Sequence, residues 1–199
     1  MLTKWISPTF NLITSEHHDK YGASMAVYEF ENRKPIIGKT SYVSHSASII
    51  GKVTIGEECY IAPGASVKGD YGEIRIGNGT SIQDNVIVHA RPGELTVIGD
   101  NVTLGHGCIV HNATVNDEAV IGMGAIVSDY AVVGKWAIVG EGAVIRARFE
   151  VPDEKIAVGV PAKIIGEVQD HHREELSRFK SIYRDLARRY PVGLKKLRE

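Results

Sequence analysis

The sequence predicts a left-handed parallel β-helix, a triangular prism wound from hexapeptide repeats, closed by a C-terminal α-helix. Two observations carry this. An aliphatic residue recurs every six positions through Ile37, Val43, Ile49, Ile55, Ile61 and Val67, and again through Ile76, Ile82 and Val88. The same step runs through Ile98, Leu104 and Val110, then through Ile121, Val127, Val133, Val139 and Ile145. A small residue stands two positions before many of them (Ala47, Cys59, Ala65, Cys108, Ala119, Ala125), and glycine follows others (Gly38, Gly56, Gly77, Gly99, Gly105, Gly122). A period of six is neither helical nor the alternation of an ordinary strand. It suits a coil of three flat faces, with the aliphatic pointing inward, the small residue at the crowded corner and glycine at the turn.

The elements follow in chain order. Residues 1 to 34 carry no repeat and form an N-terminal extension; 35 to 165 form the β-helix; 166 to 199 form the C-terminal helix and tail. The register breaks three times. Three extra residues fall between Val67 and Ile76, within GDYGEIR, and four between Val88 and Ile98, within HARPGELTV. Both are expected to be loops leaving the prism, where a rigid scaffold often carries its function. One residue is missing between Val110 and Ile121, near Val115. After Ile145 the pattern fades through VPDEKIAVGVPAKII. The stretch VQDHHREELSRFKSIYRDLARRY then reads as an amphipathic helix, with Leu176, Phe179, Tyr183, Leu186 and Tyr190 in one apolar stripe and Pro191 as its end.

Composition excludes several classes. The 199 residues are 43% hydrophobic and 24% charged, with a net charge of −1, so nothing global recruits nucleic acid. From His171 onward nine Lys/Arg face four Asp/Glu, which reads as a solvated helix face. No apolar run is long enough to span a membrane, and MLTKWISPTFNLITSEHHDK lacks the apolar region of a signal peptide. Two cysteines are too few for a disulfide scaffold, and both occupy the small-residue position, as core filler. A cytoplasmic setting is expected.

The register also places the histidines. Equivalent residues on successive coils stack at about 4.8 Å. His89 directly follows Val88 and His111 directly follows Val110, so the two stack on one edge, near enough to share a metal, with Lys68 and Ser128 continuing the ladder. His106 lies on the preceding face, on a ladder with Asp84 and Met123, beside Gln83 and Gly105. A single chain should not bring His106 to the pair, but a symmetric trimer can, where the edge of one prism meets the face of the next. The expected site is His89 and His111 from one subunit and His106 from its neighbour. Three imidazoles with an open fourth position form the ligand set of a hydrolytic or hydrating zinc. His17, His18, His171 and His172 lie outside the repeat, and His45 has no nearby histidine; none is expected to ligate.

The segments VKGDYGEIRIGNGTSIQDNVIVHA, LGHGCIVH and IGMGAIV resemble the γ-class carbonic anhydrase family, and more closely its short-loop branch of phenylacetate-degradation and carnitine-operon proteins. The resemblance runs from about Val27 to about Ile165. It implies a homotrimer that binds Zn2+, with Fe2+ or Co2+ as alternatives, at its subunit interfaces. His89, His106 and His111 match the family's three metal ligands. Gln83 matches its water-orienting glutamine and Asp84 the aspartate that follows. Lys68 and Asp70 match its arginine–x–aspartate element, with lysine replacing arginine, which keeps the charge but loses the bidentate fork. Tyr71 stands where archetypal members carry a glutamate, and the long acidic loop after the first histidine is shortened to ARPGEL, with Glu94 as its one acidic residue.

The activity this implies is reversible hydration of CO2 to bicarbonate by zinc-bound hydroxide, with Gln83, Lys68, Asp70 and Asp84 shaping the site. The missing glutamates leave no evident proton shuttle. The alternative is acyl-CoA chemistry, either thioester hydrolysis or acyl transfer of the hexapeptide type, since VGVPAKII resembles the segment that often closes acyltransferase prisms. A metal-stabilised trimer acting as a scaffold is a third reading. Neither nucleic acid nor a membrane is expected as a partner.

Overall fold

The computed structural model describes residues 26–197 and is a parallel β-solenoid of about seven coils followed by one helix. It is the β-helix that the repeat predicts. Face two stacks Tyr42–Val43, Tyr60–Ile61, Ser81–Ile82, Thr103–Leu104, Val120–Ile121 and Ile138–Val139, all parallel. Face one, through Ile55, Ile76, Ile98, Val115 and Val133, and face three, through Ile49, Val67, Val88, Val110, Val127 and Ile145, join into a single twelve-stranded sheet because Ser48–Ile55 and Ser66–Ile76 run unbroken round the corner between them. The inward aliphatics Ile49, Ile61, Val67, Ile82, Val88, Leu104, Val110, Ile121, Val127 and Ile145 are wholly buried, and Cys59 and Cys108 fill the core beside them.

Two of the expected outlines change. GDYGEIR does not leave the prism; it lies inside the eleven-residue strand Ser66–Ile76. Glycine explains this: a Cβ on Gly69 would sit 2.4 Å from the Lys52 carbonyl oxygen, and one on Gly72 would sit 2.4 Å from that of Arg91. The extra residues are therefore absorbed as close backbone packing. The four extra residues after His89 do form a loop, 90–94, which rests on that strand through Gly93 N–H to the Tyr71 carbonyl (3.3 Å) and Glu73 N–H to the Glu94 carbonyl (2.9 Å). At the other end of the chain, the strand Ala26–Tyr28 pairs in parallel with Ser48, Ile49 and Ile50, adding to face three. Residues 1–25, with His17 and His18, lie outside the described residues. Lys155–Gly159 and Ala162–Glu167 form an antiparallel hairpin that closes the last coil.

The helix, α1, spans Asp170–Gly193 and continues past Pro191, whose missing N–H falls in the final turn; Leu194 N–H still reaches the Tyr190 carbonyl at 3.1 Å. His172 is drawn into its start, where Nδ1 accepts the Gln169 N–H. The expected apolar stripe packs inward at Tyr183, Leu186 and Tyr190, but Phe179 is exposed, and the most deeply buried helix residues are Lys180 and Ala187. Tyr183 and Tyr190 pack on Tyr60, and Tyr190 also on Tyr42.

Nor is the basic face simply solvated. One corner of the prism stacks the positive-φ residues Glu58, Asn101, Glu118, Trp136 and Glu154. Along it Arg188 meets Glu58 (2.9 Å), Arg184 meets Asn101 (2.8 Å), Lys180 meets Glu118 (2.9 Å) and Arg173 meets Glu154 (2.8 Å). Lys180 and Arg173 also lie over the Trp136 ring. Fifteen helical residues rise about 22 Å and five coils about 24 Å, so helix and solenoid keep step. Burial lowers the Lys180 ammonium from its ordinary pKa, an effect that Glu118 opposes.

Two outcomes test this packing. Ile121→Ala should lower the unfolding free energy by about 2–5 kcal/mol in denaturant melts, because a wholly buried side chain is removed from a rigid stack. Burial pushes the Cys59 thiol up to about 11 and Cys108 to about 12. Neither should react with an aromatic disulfide reagent at pH 8 until the chain is unfolded; rapid labelling of the native protein would contradict the packing.

Candidate metal site at the prism edge

The site is built on the edge where face three ends. Strands Ser66–Ile76, Ile87–His89 and Ile109–His111 place Lys68, His89 and His111 in one ladder, Lys68 paired with His89 and His89 with His111. Each strand is parallel and in register, so the aliphatic inside and the polar residue outside repeat together.

Two carboxylates flank the pair. The outer nitrogen of His89, Nε2, lies 3.0 Å from Asp70 Oδ1, while Asp70 Oδ2 takes Lys68 Nζ at 3.1 Å. The outer nitrogen of His111, Nδ1, lies 2.6 Å from Asp129 Oδ1, while Asp129 Oδ2 takes Arg91 Nη2 at 2.7 Å. Burial works against ionisation of Asp70, but its bonds to Lys68 and His89 outweigh this and hold it below the usual carboxylate range. Arg91, with His111 assisting, holds Asp129 down at about 2.

Ionised carboxylates only accept hydrogen bonds. The network therefore assigns the protons to His89 Nε2 and His111 Nδ1. When both rings are neutral their other nitrogens, His89 Nδ1 and His111 Nε2, are bare, and these face each other 3.2 Å apart. Two imidazole nitrogens on one tetrahedral zinc, each at about 2.0–2.1 Å, stand about 3.3 Å apart. The pair fits a divalent metal, and carboxylates on the outer nitrogens are the usual supports of metal-bound histidines.

His106 stands at the corner between faces two and three, away from this pair. Its Nδ1 lies 2.9 Å from Asp84 Oδ2, and its backbone N–H donates to Gln83 Oε1 at 3.2 Å. Gln83 is buried, and with its oxygen engaged it offers the amide N–H as donor. Met123 stacks on His106 and is exposed. Among the described residues of one chain, no three His, Cys, Asp or Glu side chains gather as a metal group. The ligand candidates thus form two half-sites: Lys68, Asp70, His89 and His111 on one edge, and Gln83, Asp84 and His106 on the adjoining corner. His45 is exposed, and His171 stacks on His172, far along the chain in the helix.

Asp129 and Arg91 were not legible as site residues. The sign was the missing residue after His111: that corner is one residue shorter than the corner after Val127, so Asp129 has no counterpart in the preceding coil. Thr96 and Asn112 complete the edge, Thr96 Oγ1 and Asn112 N–H both donating to the His89 carbonyl at 2.8 and 3.0 Å. Glu94 lies 3.5 Å from the Tyr130 hydroxyl.

Fold and edge together define a hexapeptide-repeat β-solenoid with paired histidine half-sites. Comparison with known proteins narrows this. No family model matches the chain. It is 34% identical over 170 residues to the carnitine operon protein CaiE of Escherichia coli, covering 85% of this chain and 87% of that protein. It is 38% identical over 162 residues to the mitochondrial gamma carbonic anhydrase 1 of Arabidopsis thaliana, covering 78% of this chain but only 59% of the plant protein's length. Among solved structures, a hexapeptide transferase family protein from Anaplasma phagocytophilum superimposes with a TM-score of 0.80 at 33% identity, covering 83% of this chain and 98% of that one. The chain belongs to the hexapeptide-repeat family that contains the gamma carbonic anhydrases and CaiE.

Proposed function

We propose that the protein is a γ-carbonic-anhydrase-like enzyme catalysing reversible hydration of CO2 to bicarbonate. In this reading His89 and His111 of one subunit and His106 of a neighbour in a homotrimer hold a divalent metal, zinc first, with Fe2+ or Co2+ as alternatives. The observation that carries it is the facing of His89 Nδ1 and His111 Nε2 at 3.2 Å, each ring having its other nitrogen against a carboxylate. Two lone pairs at that distance repel unless a cation or a shared proton lies between them. The exposed Ile87 and Met123 beside the two half-sites supply apolar surface for a neighbouring subunit. No helix among the described residues is long and apolar enough to cross a membrane.

When bound, the metal supplies Lewis acidity that brings water ionisation to near neutrality. The chain's own groups do the rest. Asp70 and Asp129 keep the imidazoles turned with their bare nitrogens inward. The Gln83 amide N–H donates to an oxygen of the incoming reactant and so fixes its orientation. Asp84 holds His106 by Nδ1, leaving Nε2 to project toward the neighbour. Lys68, with its Nζ beside Asp70, adds positive charge where bicarbonate would accumulate.

A second reading, acyl-CoA thioester hydrolysis or acyl transfer, is favoured by the likeness to the Anaplasma hexapeptide transferase family protein. It is also favoured by the closing hairpin, whose Val160 and Ile165 are exposed apolar residues. The two are separated by assay. Purified trimer reconstituted with zinc, cobalt or ferrous iron should hydrate CO2 in stopped flow; no hydration with any of them, alongside acyl-CoA turnover, would reverse the assignment. With no acidic shuttle at Tyr71, proton release should fall to species from the solvent that can enter the site, so kcat should rise with the concentration of a small buffer. A split site also predicts complementation. His106→Ala and His89→Ala trimers, each inactive alone, should regain part of the activity once their subunits are mixed, and an inactive mixture would count against ligands shared between chains.

A further inference from the structure

Two of the three register breaks meet at one place, and together they bring a cation to a carboxylate two coils away. The four extra residues of loop 90–94 carry Arg91, and the shortened corner after His111 opens the path to Asp129. Arg91 N–H also rests on Asn112 Oδ1 at 3.3 Å, within that shortened corner. Arg91 Nη2 takes one oxygen of Asp129 at 2.7 Å, leaving the other for His111 Nδ1 at 2.6 Å. The geometry points to Arg91 and Asp129 as positioning residues that set the tautomer of His111, so that its Nε2 stays bare toward His89. The inference rests on the metal reading above for its consequence, though the tautomer is a property of the protein alone.

The argument is one of donors and acceptors. Asp129 has two acceptor oxygens and no donor, so a histidine nitrogen bonded to it must carry the hydrogen. An asparagine in its place has one oxygen and one N–H2. Arg91 has only donors, so it claims the amide oxygen and turns the N–H2 toward His111. His111 Nδ1 must then accept, and its proton moves to Nε2, the nitrogen facing His89. The loop arginine thus decides which way the corner residue can turn. The same logic has a counterpart on the other side of the pair, where Lys68 takes one oxygen of Asp70 and His89 Nε2 the other. Each carboxylate is neutralised by its own cation, so the pair is oriented without a net charge of its own.

The test uses the full-length protein labelled with 15N-histidine and freed of metal by chelation, with His111 assigned by its loss in His111→Gln. Solid-state 15N spectra of the wild type should show Nδ1 protonated and Nε2 bare. Asp129→Asn should reverse that pattern and weaken zinc binding, read by competition with a chromophoric chelator, by about 10–100-fold. Adding Arg91→Met to Asp129→Asn frees the amide to turn its oxygen to His111, so the double variant should regain the wild-type tautomer and most of the lost affinity. A wild-type His111 with Nδ1 bare, or a double variant indistinguishable from Asp129→Asn, would overturn the inference. Wild-type trimer that takes up no zinc would instead sink the metal reading, while the spectra still decide the tautomer.

Discussion

Everything in this molecule depends on the parallel stacking of coils at one fixed spacing, about 4.8 Å. In-register pairing means that a residue's neighbour above and below is decided by its place in the six-residue repeat. Inside, this produces an unbroken column of Ile, Val and Leu with alanine and cysteine at the corners. Outside, it turns two histidines 22 residues apart into a pair whose nitrogens meet at 3.2 Å. The same spacing lets a helix rising about 1.5 Å per residue run alongside six coils and meet a partner on five of them.

The edge carrying His89 and His111 spends its charged groups on orientation. Partly exposed ion pairs such as Lys68 with Asp70 and Arg91 with Asp129 contribute little to stability. Their effect is geometric: each cation occupies one carboxylate oxygen and leaves a single acceptor for the imidazole. The corner of His106 uses another device, a backbone N–H held by the buried Gln83 and a ring held by Asp84. The two clusters lie on different faces of the prism, and among the described residues of one chain no three His, Cys, Asp or Glu side chains gather as a metal group.

Much of this was legible because the repeat is strict. A one-dimensional period of six translates directly into three faces, so Lys68, His89 and His111 could be stacked by counting, and Asp84 could be set beside His106. Counting failed where packing overrode the period. GDYGEIR has three extra residues and looks like a loop, yet Gly69 and Gly72 let it lie flat as strand against the neighbouring backbone. Pro191 looks like a helix end, yet its lost hydrogen bond costs little in the last turn. Asp129 gave no signal of its own, because its meaning lies in a missing residue one coil away.

By itself the sequence determined the coil, the direction of each inward side chain and the ladder on which His89 and His111 stack. All of these are local in a solenoid, where each repeat touches only its neighbours. Only the tertiary structure decided which carboxylate each histidine meets, what loop 90–94 packs against, and where α1 lies. Those depend on contacts such as Arg91 with Asp129 and Lys180 with Glu118, 38 and 62 residues apart, whose partners no period connects.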